Sequence, residues 1–293
     1  MSEESPNPIS QSAGGQRSLR VIAITSGKGG VGKSSIIINL GIAFAQSGRK
    51  VLLIDGDLGL GNVDILMQET PQFTLQHVLE GQKTMDDVLL HSRYGVTVLP
   101  ATSGVAEMAA LSEEQRMRLV DAMDDIESEF DTVLVDTAAG IGSNALFFAS
   151  AAQELVVVVT PEPTSLADAY AMIKLLALRC GVQRIGVVVN QVANNEEAHG
   201  IFHRLSTLAA RFLPVMIELV GVVPFDSHVR SAVREQRPFM IEAPQAKASL
   251  AVNRLANSLL MRPSRPGATT GRVQLFWRRL LDVPSGTPES LNG

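Results

Sequence analysis

One short stretch near the start of the chain restricts the fold more than any other. Residues 21–24 (Val-Ile-Ala-Ile) are an apolar run with the character of a buried strand. Thr25-Ser26-Gly27-Lys28-Gly29-Gly30-Val31-Gly32-Lys33-Ser34-Ser35 follows directly, and a helix is expected from about Gly32. The spacing G-x-x-x-x-G-K-S between a strand and a helix is that of a phosphate-binding loop. Gly27, Gly29, Gly30 and Gly32 let backbone N–H groups crowd around phosphate oxygens, with Val31 and Ser35 completing the cradle. The helix N-terminus adds the positive end of its dipole. Lys33 is expected to reach the β- and γ-phosphates of a nucleotide, and Ser34 to hold Mg²⁺.

The rest of the chain supports one large α/β domain. Of 293 residues, 45% are hydrophobic, enough for a sizeable core. The net charge is −5, so no broad basic face is offered and direct sequence-specific nucleic-acid binding is not expected. The single Cys180 can form neither an internal disulfide nor a Cys-x-x-Cys metal site, which fits a reducing cytoplasm. No run of 18 apolar residues occurs and no apolar leader precedes the domain.

Further apolar runs punctuate the chain, each ending in polar residues. The run 51–54 ends in Asp55-Gly56-Asp57-Leu58-Gly59-Leu60-Gly61-Asn62-Val63-Asp64. Carboxylates at the carboxyl end of a parallel strand beside a phosphate loop fall in the ligand crevice. Asp55 is expected to support the Mg²⁺ shell and Asp57 to orient or activate the attacking water. The run 132–135 ends in Asp136-Thr137-Ala138-Ala139-Gly140, the Walker B pattern, and places Asp136 on Mg²⁺ through water. Strands are also expected over 96–99, 155–160, 185–189 and 219–223. Between them, Ser112 is expected to cap a helix whose apolar face carries Met117, Val120, Met123 and Ile126. Thr164 or Ser165 is expected to cap the helix running to Leu178. Asn190, at a strand end, could pair with a purine edge through its amide or simply form a turn. Strands alternating with helices predict a doubly wound, mainly parallel sheet with helices on both faces.

The ends read differently. Residues 1–19 are a Ser/Pro/Gly/Gln-rich tail, 20–261 the globular domain, and 262–271 a Pro/Gly/Thr linker. In the 272–282 stretch Val273, Phe276, Trp277, Leu280 and Leu281 fall on one face at 100° per residue. This C-terminal amphipathic helix suits either an anionic membrane surface or packing on its own domain. Residues 283–293 are a second tail.

Taken together, these motifs resemble the MinD/ParA ATPases. Lys28 in Lys-Gly-Gly-Val-Gly-Lys-Ser matches the "deviant" Walker A of that family. Glu162-Pro-Thr-Ser-Leu-Ala-Asp-Ala-Tyr and the end Val273-Gln-Leu-Phe-Trp-Arg-Arg-Leu-Leu are similar to its flagellar branch, FlhG/FleN. The resemblance implies an ATP–Mg²⁺ enzyme of slow, regulatory turnover. It makes Lys28 act on the phosphates of a second copy in an ATP-bound homodimer, with Glu162 on the same dimer face. It assigns Lys33, Ser34 and Asp136 to ATP–Mg²⁺, Asp57 to the hydrolytic water, and Asn190, Pro224 and Asp226 to the adenine. Implied partners are a FleQ-type transcription factor, the GTPase FlhF and the inner face of the cell membrane. The N-terminal Asp-Gln-Ala-x-x-Leu-Arg activator of FlhF has only a remnant here, Ser10 to Arg17, which favours the transcription-factor role. A MinD-like spatial organiser of division is the alternative, and a ParA-like DNA partition ATPase is disfavoured by the acidic balance.

Overall fold

The computed structural model describes residues 19–57, 63–100 and 111–262. The tails, linker and amphipathic stretch proposed beyond 262, and the segment 58–62, lie outside the described residues. Among the described residues, eight strands form one sheet in the order β3-β4-β2-β5-β1-β6-β7-β8. They are β1 (Arg20–Ser26), β2 (Val51–Gly56), β3 (Leu90–His91), β4 (Val96–Leu99), β5 (Thr132–Ala139), β6 (Glu154–Val159), β7 (Arg184–Val192) and β8 (Met216–Pro224). Every pairing is parallel except β3 with β4, so the mainly parallel, doubly wound expectation holds.

The central strands are apolar on both faces because both faces are covered by helices. On one face Leu53, Ile22, Ile24, Leu134, Val156 and Val188 pack with α1 (Lys33–Gln46), and the same cluster takes in Val252 and Leu255 of the last helix, Lys247–Leu260. On the other, Leu52, Val133, Val157 and Val187 meet the helices Glu113–Glu127, Ser143–Ala151, Pro163–Cys180 and Asn195–Phe212. In chain order the helices are α1, α2 (Val63–Met67), α3 (Leu75–Leu79), α4 (Met85–Val88), α5 (Glu113–Glu127), α6 (Ser143–Ala151), α7 (Pro163–Cys180), α8 (Asn195–Phe212), α9 (Ser227–Arg234), α10 (Phe239–Glu242) and α11 (Lys247–Leu260). None of the described helices is long and apolar enough to cross a membrane.

Three local expectations need correction. Ser112 does cap α5, accepting the Gln115 N–H, but the buried stripe is Leu119, Met123 and Ile126, while Met117 is 67% exposed. Met117 precedes Leu119 by two residues, about 200° around the helix, so it points to the opposite side. The cap of α7 is Glu162, with Pro163 in the first turn, where its missing N–H has no partner to lose. Ser165 is instead buried and accepts the Thr160 N–H at 3.0 Å. Finally, β8 starts at Met216, three residues before the apolar run; as the outer strand of the sheet it is only half covered there.

Candidate nucleotide site

The sheet order turns at β1, whose chain neighbours in the sheet are β5 and β6. In open α/β sheets the ligand crevice lies at the carboxyl ends of the strands around such a point. Register brings the acidic residues there: Asp136 stands beside Ile24 of β1 and beside Asp55 of β2. By the two-residue period, Asp55 and Asp136 share the face of Leu53 and Leu134, the face on which α1 packs. Lys33 at the first turn of α1 therefore meets Asp136 directly, and the two are ion-paired at 6% and 1% side-chain exposure.

The loop itself is held by close backbone approaches. A Cβ on Gly27 would lie 2.2 Å from the Asp168 carbonyl carbon and oxygen of α7, so this glycine lets loop and helix touch. Gly30 and Gly32 have φ of 80° and 87°, a region that favours glycine. Gly29 is open, its would-be Cβ 4.0 Å from Ala139. Ser26 Oγ donates to the Lys28 carbonyl at 2.9 Å, and the Gly140 N–H donates to the Ser26 carbonyl at 2.9 Å, tying the loop after Asp136 to the phosphate loop. Ser34 and Ser35 are half-buried at the start of α1 and Val31 is buried.

Lys28 behaves unlike Lys33. Its side chain is 40% exposed, and its ammonium donates to Glu162 Oε2 at 2.6 Å and to Thr164 Oγ1 at 3.1 Å. The two residues expected on a dimer face thus meet within one chain. The sequence reading gives Thr164 only as a cap candidate; its place in the first turn, two residues past the N-cap Glu162, is what brings its hydroxyl to the same ammonium.

Asp55 is 3% exposed. Its Oδ1 accepts the Asp57 N–H at 3.1 Å and its Oδ2 the Val63 N–H at 3.2 Å, so the carboxylate joins the two ends of the segment 58–62. Burial and the neighbouring Asp136 charge push its pKa up to about 7, against the two backbone donors and Lys33. Asp57, also raised by burial, is half-buried beside them.

Next to the loop, a cavity of about 270 Å³ is lined by Gly32, Asn190, Pro224, Phe225, Arg230 and Val233 among others. Its size suits the base end of a nucleotide, and three of the expected residues meet here. Asn190 Nδ2 donates to the Val31 carbonyl at 2.8 Å and its Oδ1 accepts the Gln191 N–H at 2.9 Å. Pro224 forms wall. Asp226 lines the cavity, but its oxygens are engaged: Oδ1 accepts the His228 N–H at 3.0 Å and lies 2.8 Å from the His228 ring Nδ1, and Oδ2 accepts the Ala248 N–H at 3.1 Å. Burial alone would raise Asp226, yet these donors hold it below its ordinary value. Its carboxylate caps α9 and joins α9 to α11. Phe225 and Arg230, whose guanidinium lies 5.0 Å from the ring centroid, also line the cavity, though the sequence reading gives neither a site role; one follows β8 and the other sits inside α9, so only the fold brings them together. Val273, Phe276, Trp277, Leu280 and Leu281 lie outside the described residues.

The arrangement fits a nucleoside triphosphate: a glycine cradle, a buried lysine, a carboxylate within its reach and a base-sized cavity on one edge. Comparison with known proteins agrees. Residues 18–260 match the family model described as ParA, "NUBPL iron-transfer P-loop NTPase". The single Cys180 of this chain, at the end of α7, does not form a cysteine cluster for iron. The chain is 43% identical to the "Antiactivator FleN" of Pseudomonas aeruginosa over 272 residues, 93% of this chain and 97% of that one. It is 29% identical to the "Flagellum site-determining protein YlxH" of Helicobacter pylori, over 89% and 90% of the two chains. Among solved structures, the MinD of Pyrococcus horikoshii complexed with Mg-ADP superposes with a TM-score of 0.65 at 25% identity, covering 82% of this chain and 96% of that one. With loop, acidic strand ends and sheet order all in place over the matched length, the chain belongs to the ParA family of P-loop NTPases.

Proposed function

We propose that this chain is an ATP-driven dimerising switch that sets flagellar number by binding and restraining a FleQ-type transcription factor. The observation that carries the reading is the contrast between the two loop lysines. Lys33 is buried in its own pocket with Asp136, whereas Lys28 is 40% exposed and pointed at a helix outside that pocket. An exposed lysine at this position suits a phosphate supplied by a second copy.

In this reading the triphosphate displaces Asp136 from Lys33. Ser34 and Asp136, with Asp55 behind them, would hold Mg²⁺, which would neutralise phosphate charge. Lys28 exchanges Glu162 and Thr164 for the partner copy's phosphates. Asp57 orients the attacking water, and hydrolysis ends the dimer. The face of 273–281 then attaches two copies at once to an anionic membrane surface at the cytoplasmic side, where effective concentration strengthens a weak anchor. FlhF is a secondary partner. The sequence similarity to FleN and YlxH supports the flagellar assignment over a division role.

A pull-down with the full chain separates the possibilities. Immobilised protein loaded with a non-hydrolysable ATP analogue is expected to retain the purified FleQ-type factor, and the ADP-loaded protein to release it. Equal retention in both states, or none in either, contradicts the proposal.

A further inference from the structure

At the inner wall of the base cavity β7 departs from its ladder. Asn190 pairs with Val223 of β8 and Val192 pairs with Pro224, which leaves Gln191 as an extra residue, a bulge. Its φ is +61°, a left-handed conformation that is unfavourable for any residue with a side chain. The same bulge directs the Gln191 N–H onto Asn190 Oδ1 at 2.9 Å. From the other side, Asn190 Nδ2 donates to the buried Val31 carbonyl at 2.8 Å. Gly32 makes that approach possible, because a Cβ there would stand 2.5 Å from Nδ2. The Asn190 amide is therefore held at both ends.

An unrestrained asparagine can turn its amide by 180° and exchange donor for acceptor. It could then serve adenine, which offers an amino donor, or guanine, which offers a carbonyl acceptor at the same place. Here a turn would set Oδ1 against the Val31 carbonyl and the amino group against the Gln191 N–H, two like-on-like contacts. One Nδ2 proton and one Oδ1 lone pair stay available, in a fixed order.

We propose that Gln191 is a positioning residue for base selection: its left-handed bulge pins the Asn190 amide in one orientation, so that the cavity takes adenine nucleotides over guanine nucleotides. The proposal rests on the reading that Asn190 faces the base of the bound nucleotide. The backbone of Gln191, and not its side chain, does this work.

Calorimetric titration of the full chain with Mg-ADP and Mg-GDP tests it without hydrolysis or dimerisation. Gln191→Val, whose β-branched side chain disfavours the left-handed region, is expected to reduce the ratio of ADP to GDP affinity about tenfold, the worth of one uncharged hydrogen bond. Gln191→Gly, which adopts that region freely, is expected to restore the ratio. Asn190→Ala is expected to lose it. If Asn190→Ala keeps the parental ratio, Asn190 does not read the base, and the base reading falls together with the proposal. If Asn190→Ala loses the ratio while Gln191→Val keeps it, or Gln191→Gly loses it as fully as Gln191→Val, the pin alone is overturned. Hydrogen exchange on the parent chain gives a second measurement independent of folding of the variants. The Gln191 amide is expected to be protected in the nucleotide-free protein, and exchange at the rate of an open peptide would overturn the proposal.

Discussion

Replacing Asp55 by asparagine is expected to change stability in a direction that depends on pH. Asp55 is 3% exposed, and burial first, then the adjacent Asp136, raises its pKa from 3.8 to about 7. A folded-state pKa above the unfolded value means that the native chain binds the extra proton between those limits. Stability linked to Asp55 is thus fully present below pH 3.8 and is lost as pH rises through 7. At about 1.4 kcal/mol per unit, the parent protein should lose on the order of 3 kcal/mol between pH 5 and pH 8 through this group alone. Asparagine carries no charge to bury, but its amino group cannot accept, so either the Asp57 or the Val63 N–H loses its partner at a cost of about 1 kcal/mol. Asp55→Asn should therefore be less stable than the parent by about 1 kcal/mol at pH 5 and more stable by about 2 kcal/mol at pH 8. Urea unfolding of the nucleotide-free proteins, followed by circular dichroism with chelator present, gives both differences. A difference that does not vary with pH, or one that becomes more unfavourable to the variant at pH 8, refutes the reasoning.

Two further outcomes follow from the site. Gly27→Ala would place a Cβ 2.2 Å from the Asp168 carbonyl and 2.6 Å from the Ala169 nitrogen, all backbone, so loop and α7 must separate. A loss of about 1–3 kcal/mol, a fall of several degrees in Tm and weaker ADP binding are expected; unchanged Tm and affinity would show that the contact is dispensable. In liposome flotation with anionic vesicles, the parent should float with a non-hydrolysable ATP analogue and not with ADP, and Trp277→Glu should remain in the aqueous fraction in both states. Equal flotation of the parent in the two states would disconnect the 273–281 face from the nucleotide.

Most of the sheet was legible because its strands are buried on both faces and so read as unbroken apolar runs, such as 51–54 and 132–135. The phosphate loop and Asp136 were legible because their chemistry demands a fixed spacing. What the sequence concealed depends on contacts between distant segments. The bulge at Gln191 is set by the pairing of β7 with β8 and leaves no mark in a run of Val-Val-Val-Asn-Gln-Val. The engagement of Asp226 with Ala248 joins residues 22 apart, so the carboxylate expected at the base is engaged as a structural clamp. The start of α7 was misread because Thr164 and Ser165 are good caps in isolation, while Pro163 had already fixed the first turn. Met117 misled because a helical period can be drawn through more than one set of apolar residues, and only packing selects the phase.

In the proposed dimer, Lys28 of a second copy of the chain completes this nucleotide site. Multi-angle light scattering coupled to size exclusion tests it most directly, on the parent and on Lys28→Ala, each with Mg-ADP and with a non-hydrolysable ATP analogue. A mass of one chain is expected in every case except the parent with the ATP analogue, which should double. A dimer that persists in Lys28→Ala with the analogue, or a parent whose mass ignores the nucleotide, would contradict it.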